Sequence, residues 1–164
     1  MARCIIAGVI ITYVLAVFQA TLGSRLAIAG VSPDMLFLWT VCLGLLSGPR
    51  VGALVGFASG ALEGSLRQAL IAALGISKGF SGFAAGLLST KMFRENWLVP
   101  AISAGLLTLV HETVFLLISR QDTWTHTGWL IGGRMLYHAL LAPIAFALIV
   151  RARQALMGER AEVG

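Results

Sequence analysis

Apolar residues dominate this chain, and short polar breaks separate them into segments. Six apolar segments can be traced, at about residues 4–20, 34–47, 50–66, 70–90, 98–118 and 128–150. Most of them have roughly the 17 to 25 residues that a helix needs to cross a bilayer. Backbone polar groups in lipid must be satisfied within helices or closed barrels, and no barrel-like alternation is visible. The pattern predicts an all-α integral membrane protein, with six transmembrane helices forming one compact bundle over residues 1–164.

The composition strengthens this prediction. Hydrophobic residues make up 58% of the chain and charged residues 12%, with a mean hydropathy of +0.89. A water-soluble domain carries about 25% charged residues. The chain therefore has about half the charge that a soluble surface of this size needs, and we expect the lipid bilayer to cover most of it.

The positions of the basic residues predict an orientation. A net charge of +5 raises the possibility of nucleic-acid binding, but the charges cluster at helix ends. Lys91 with Arg94, and Arg151 with Arg153, lie at ends that face the same side as the N-terminus. Basic residues close to helix ends favour the cytoplasmic side. We expect both termini in the cytoplasm and no nucleic-acid partner.

Five glycines follow one another at four-residue spacing from just before the third segment to near its end: Gly48, Gly52, Gly56, Gly60 and Gly64. On a helix each such step turns by about 40°, so the glycines form a slanting smooth stripe. Small residues at this spacing let helices approach closely in lipid. Two interpretations stay open, namely packing against a neighbouring helix of this chain and docking of another membrane protein.

Ionisable residues interrupt the apolar segments at nearly one height. This polar layer consists of Glu63, Lys78, His111, Glu112 and Arg134. Counting about 1.5 Å per residue along each segment places the layer in the outer third of the membrane. Charges within a bilayer are costly and are usually paired. We predict that Glu63 pairs with Lys78 and Glu112 with Arg134; in the alternative, Lys78 and Arg134 extend to the interface and form no network.

Nothing in the sequence predicts catalysis. His111 and Glu112 are adjacent, so their side chains point about 100° apart on a helix and do not converge on one atom. Motifs of zinc peptidases, serine hydrolases and phosphate-binding loops are missing from the sequence. We predict a protein that is not an enzyme and has no cofactor or metal site.

The stretch "SPDMLFLWTVCLGLLSGPRVGALVGFASGALEG" (32–64) resembles the MreD family, the rod shape-determining membrane proteins of bacteria. A second stretch, "ALGISKGFSGFAAGLLSTKMF" (73–93), is similar to the family's fourth span. The motif residues are Pro33, Asp34, Gly48, Gly52, Gly56, Phe57, Gly60, Gly64, Gly82 and Gly86. One position departs from the pattern, because family members commonly have Asp where this chain has Glu63.

The resemblance implies a non-enzymatic regulator of the cell-elongation machinery in the bacterial cytoplasmic (inner) membrane. Such a protein binds MreC and supports peptidoglycan synthesis and rod shape. Its contact with RodA and the penicillin-binding transpeptidase is indirect. The resemblance also implies a fold similar to the S components of energy-coupling-factor transporters. It therefore supplies an alternative function, namely a vitamin-binding transporter subunit.

Overall fold

The computed structural model describes residues 2–28, 30–68, 70–88, 98–119 and 124–157. The helices in this part of the chain are α1 (Ala2–Leu22), α2 (Met35–Ser47), α3 (Pro49–Leu66), α4 (Ile71–Leu87), α5 (Leu98–Ser119) and α6 (Trp124–Met157). A 3₁₀ turn at Gly23–Leu26 follows α1. The same residues contain no β-strand beyond one isolated bridge between Ile28 and Val31. The prediction of an all-helical chain is confirmed for them.

The helix bounds agree with the predicted segments to within a few residues, except in α6. This helix has 34 residues and continues past both predicted ends, 128 and 150. Polar residues at its ends hid this continuation, because only the apolar part signals a span. The predicted end of the fourth span at residue 90 and the basic pair Lys91 and Arg94 lie outside the described residues.

The shortest helix, α2, lies at the centre of the bundle. Ten of its residues are buried, and it contacts every other helix. Its apolar side chains form a core with residues of α4, α5 and α6, around Phe37, Leu38, Val41 and Leu45. A helix that is apolar all around fits this position, because no side of it faces the surroundings.

Backbone contact joins α3 to α4. A Cβ atom added to Gly52 would overlap the carbonyl oxygen of Gly82, and one added to Gly56 would overlap that of Lys78. At Gly64, a Cβ would lie 2.7 Å from the Cα of Ile71. Only glycine permits this approach along α3. From Gly52 to Gly64 the stripe is therefore occupied by α4 of the same chain.

Gly44 of α2 also lies against the backbone of α4, whereas α5 and α6 pack through side chains. A Cβ at Gly105 of α5 would lie 3.6 Å from the Cβ of Ala139 in α6, an ordinary contact distance. The first helix, α1, rests mainly on α2 and α3. Much of its apolar surface is exposed, including Ile6, Val9 and Tyr13.

Within the described ranges, two helices are long and apolar enough to cross a membrane, namely α5 and the part Gly128–Ala155 of α6. Three shorter apolar helices accompany them: Ile6–Leu22, Met35–Ser47 and Ile71–Leu87.

Candidate functional site: a buried ionic cluster between five helices

A lysine between two acids forms the centre of the site. The Nζ atom of Lys78, in α4, lies 2.6 Å from Oδ2 of Asp34 and also contacts Oε2 of Glu63 in α3. The Lys78 side chain is fully buried, while the side chains of Glu63 and Asp34 are 4% and 18% exposed. We call these three residues the buried triad. Charges at this depth require partners, and each of the three has at least one.

Gln19 joins the two acids from the side of α1. Its amide nitrogen donates to Oδ1 of Asp34 at 2.9 Å and to Oε1 of Glu63 at 3.0 Å. Its amide oxygen accepts the backbone N–H of Leu36 at 3.1 Å. One neutral side chain thus links α1, α2 and α3, and both of its polar atoms are used.

The acids accept hydrogen bonds at all four carboxylate oxygens. Oδ1 of Asp34 also accepts the backbone N–H of Phe37 at 2.8 Å, which caps the start of α2. Oε1 of Glu63 also lies 3.1 Å from Nη1 of Arg67, one turn later on α3. A carboxylate whose two oxygens both accept hydrogen bonds from different helices is suited to holding those helices together.

A cleft opens beside this cluster. It has a volume of about 350 Å³ and is lined by Gln19, Ala20, Gly23, Ser32, Leu66 and Arg67. The Arg67 side chain is 41% exposed and donates to the backbone oxygen of Gln19 at 3.4 Å. Gln19 and Arg67 therefore belong both to the cluster and to the lining of the cleft.

His138 connects the triad to α5 and α6. Its Nε2 atom accepts the backbone N–H of Asp34 at 2.9 Å, and its Nδ1 atom lies 2.8 Å from the hydroxyl of Thr108. That hydroxyl donates to the backbone oxygen of Ala104 at 2.6 Å. Since Nε2 accepts, the hydrogen-bond pattern assigns a neutral ring with its hydrogen on Nδ1.

A second ion pair lies on the α5–α6 side. Nη1 of Arg134 is 2.6 Å from Oε1 of Glu112, and the two side chains are 37% and 8% exposed. The ring of Phe37 lies between His111 and His138, with centroids 5.1 Å from each. Within the described part of the chain, Nδ1 of His111 and Nε of Arg134 have no hydrogen-bond partner. This side of the layer is less completely bonded than the triad.

The structure brings the five residues of the polar layer to one end of the bundle, and both predicted ion pairs are present in it. Lys78 is fully buried, so its side chain does not extend to the surface as the alternative supposed. Of the motif residues, Gly52, Gly56, Gly60, Gly64, Gly82 and Gly86 lie against backbone or Cα atoms of the facing helix. Gly48 forms the α2–α3 turn with a φ of 89°. Phe57 is 53% exposed and borders the stripe rather than lying within it.

Sequence reasoning missed several members of the cluster. Asp34 is a motif residue for which the sequence predicts no partner, and the sequence assigns Gln19, Arg67 and Thr108 no place in the polar layer. A signal for Asp34 was available, because α2 begins at the end of the bundle that holds the polar layer. The sequence contains no comparable signal for the hydrogen bonds of Gln19, since a polar residue in an apolar helix does not reveal which neighbouring residues it contacts.

The described residues contain no group of three His, Cys, Asp or Glu side chains that could hold a metal ion. Comparisons with protein families, curated proteins and solved structures give no match to this chain. The resemblance to MreD therefore depends on the quoted motifs alone.

Proposed function

We propose that this chain is a six-helix protein of the bacterial cytoplasmic membrane, with both termini in the cytoplasm. The distribution of polarity supports the proposal. Lys78 and Glu63 are buried, whereas large apolar side chains are exposed around the middle of the bundle: Leu54, Phe57, Phe80, Ile102, Leu106, Leu136, Leu140 and Ile144. This arrangement is the reverse of a water-soluble protein and suits a lipid environment.

The height of this apolar zone also fits a bilayer. Among the side chains that the structure describes, none between the polar layer and the arginines at the other end carries a charge. From Arg50 to Glu63 the rise along α3 is about 20 Å, and from Arg134 to Arg151 along α6 it is about 26 Å. A bilayer's hydrocarbon core is about 30 Å thick.

Within the membrane, we propose the role that the MreD resemblance implies, a non-enzymatic regulator of cell elongation that binds MreC. One observation carries this proposal. The residues of the motif, from Asp34 through the glycine stripe to Gly86, come together in the α2–α3–α4 unit, where the acids bind Lys78 and the glycines pack helix to helix. A motif used for internal assembly is expected of a structural component, since catalysis requires groups free to meet a substrate.

The partners follow from the same resemblance. MreC is the direct partner, and RodA with the penicillin-binding transpeptidase is reached through it. From Gly52 to Gly64 the glycine stripe is not available to MreC, because α4 covers it. We therefore expect MreC to contact a helix face outside the α3–α4 interface.

Depletion of the protein in its native host tests the proposal. We expect rod-shaped cells to become round, and we expect the wild-type chain to restore their shape and to co-purify with MreC from mild detergent. The variant Gly105→Ala should restore cell shape as well as the wild-type chain does, because its new Cβ meets only ordinary contacts and the variant should fold normally. Unchanged shape on full depletion, with no MreC recovered, would refute the proposal.

The cleft beside the cluster favours a second candidate, the vitamin-binding transporter subunit. Its volume of about 350 Å³ lies at the lower end of the range for small-molecule sites, and Gln19, Ser32 and Arg67 supply polar groups. In the depletion experiment this candidate predicts loss of vitamin uptake with normal cell shape. A single strain thus separates the two candidates.

A further inference from the structure

The end of the bundle opposite the polar layer is basic. It contains the α2–α3 turn, the start of α3 and the last turns of α6. Among the side chains described there, Arg50, Arg151 and Arg153 carry charge, all three are exposed, and no acid accompanies them. The three described acids, Asp34, Glu63 and Glu112, all lie at the other end with basic partners.

One of these arginines is held in place. Nη1 of Arg153 donates to the backbone oxygen of Leu46 at 3.3 Å, near the end of α2. A guanidinium group has five N–H donors, so most of them stay available to a ligand. Leu46 is followed by the turn at Gly48, and Arg50 lies in the first turn of α3. The contact with Leu46 therefore places Arg153 beside the end of α2, at a residue that precedes Arg50 by four positions in the chain.

Arg151 points elsewhere. Two residues on an α-helix differ by about 200°, so Arg151 lies on nearly the opposite side of α6 from Arg153 at almost the same height. The two arginines have the same charge and a similar depth, but only Arg153 is next to the α2–α3 turn.

We propose that Arg50 and Arg153 bind the phosphate of an anionic phospholipid at this end of the bundle. The inference rests on the proposed location in a membrane. The height of the two side chains supports a lipid as the occupant, because Arg153 lies about 28 Å along α6 from Arg134, close to the thickness of a hydrocarbon core. Charge supports an anionic headgroup, since arginines that have no acid among their described neighbours attract phosphate, and arginine binds it with paired N–H donors.

The test measures binding of phosphatidylglycerol and of phosphatidylcholine to the purified full-length protein in neutral detergent. We expect phosphatidylglycerol to bind at least tenfold more tightly. Arg50→Gln and Arg153→Gln should each weaken its binding by about fivefold, the effect of one arginine near a charged lipid surface. Arg151→Gln is the matched control, and Arg25→Gln, exposed at the other end, is a second one; both should change binding by less than about twofold.

Three results would overturn the inference. They are equal binding of the two lipids, an Arg151→Gln loss as large as that of Arg153→Gln, and displacement of the lipid by equimolar inorganic phosphate. Flotation with vesicles separates this inference from the proposed function. A protein that does not float with lipid contradicts the membrane location itself, whereas one that floats without preference for phosphatidylglycerol contradicts only the lipid site.

Discussion

Two helix hairpins carry the same kind of charge pair and hold it in different ways. In α3–α4, glycines bring the backbones into contact, and the Glu63–Lys78 pair is buried and reinforced by Asp34 and Gln19. In α5–α6, side chains separate the helices, and the Glu112–Arg134 pair is exposed on the arginine side. Removal of one partner from a buried ion pair leaves a charge that water cannot solvate, whereas in an exposed pair water can solvate the charge that remains.

The largest effect is expected from Lys78→Met. It removes Lys78 from the buried carboxylate of Glu63 and from the partly exposed one of Asp34, and removal of one partner from a buried pair costs about 3 to 5 kcal/mol. The free energy of unfolding, measured by titration with a denaturing detergent, should fall by that amount. In a cycle with Glu63→Gln the two losses should not add, because both changes remove the same interaction. Strictly additive losses would show that the two side chains do not stabilise each other.

A smaller loss should follow from Gly52→Ala. The new methyl group overlaps the carbonyl oxygen of Gly82, so α3 and α4 must separate. We expect a loss of about 2 to 3 kcal/mol, typical of overpacking. Gly105→Ala is the matched change in the other hairpin, and we expect it to be neutral or slightly stabilising because alanine favours helix. Equal losses at the two glycines would contradict the claim that α3–α4 packs more closely than α5–α6.

The link between the hairpins can be tested at Thr108. Replacement by Val keeps the shape but removes the hydroxyl that His138 and the backbone of Ala104 use. An unsatisfied buried ring N–H should lower the free energy of unfolding by about 1 to 2 kcal/mol. Thr21→Val is a suitable control, since that hydroxyl bonds only to its own helix and is exposed. The connection through His138 would be unimportant if both variants behaved alike.

The smallest loss is expected from Glu112→Gln. It removes the partner of Arg134, whose side chain is 37% exposed and can be solvated. We expect about 1 kcal/mol or less. Glu63→Gln removes the same charge from the triad and should cost more, because Lys78 has no access to water. A ranking in the opposite order, by the same unfolding measurement, would contradict the distinction drawn between the two pairs.

The sequence predicted those contacts of the site that depend only on how far each residue lies along its helix. Helices joined by a short loop are neighbours, so residues at equal distance from the loop can pair. That argument found Glu63 with Lys78 and Glu112 with Arg134. It did not extend to the Asp34–Lys78 and Gln19–Glu63 contacts, because α2 and α4, like α1 and α3, are not consecutive and their contacts depend on how the hairpins pack together.

The glycine stripe shows a similar division. Its spacing predicted a smooth surface and a close approach, but not the occupant. The choice between α4 and another protein depends on whether the facing helix presents a matching surface. Gly75, Gly79, Gly82 and Gly86 lie on α4 at similar spacing, and the structure places the two stripes together.

The order of the triad along the chain has a consequence for biosynthesis. Gln19, Asp34 and Glu63 are all made before Lys78. On the membrane location proposed above, a chain inserted helix by helix therefore presents two acids before their lysine exists. We expect α3 to remain at the insertion machinery until α4 arrives. Nascent chains arrested just before Lys78 should then crosslink to that machinery, and chains arrested after α4 should be released from it.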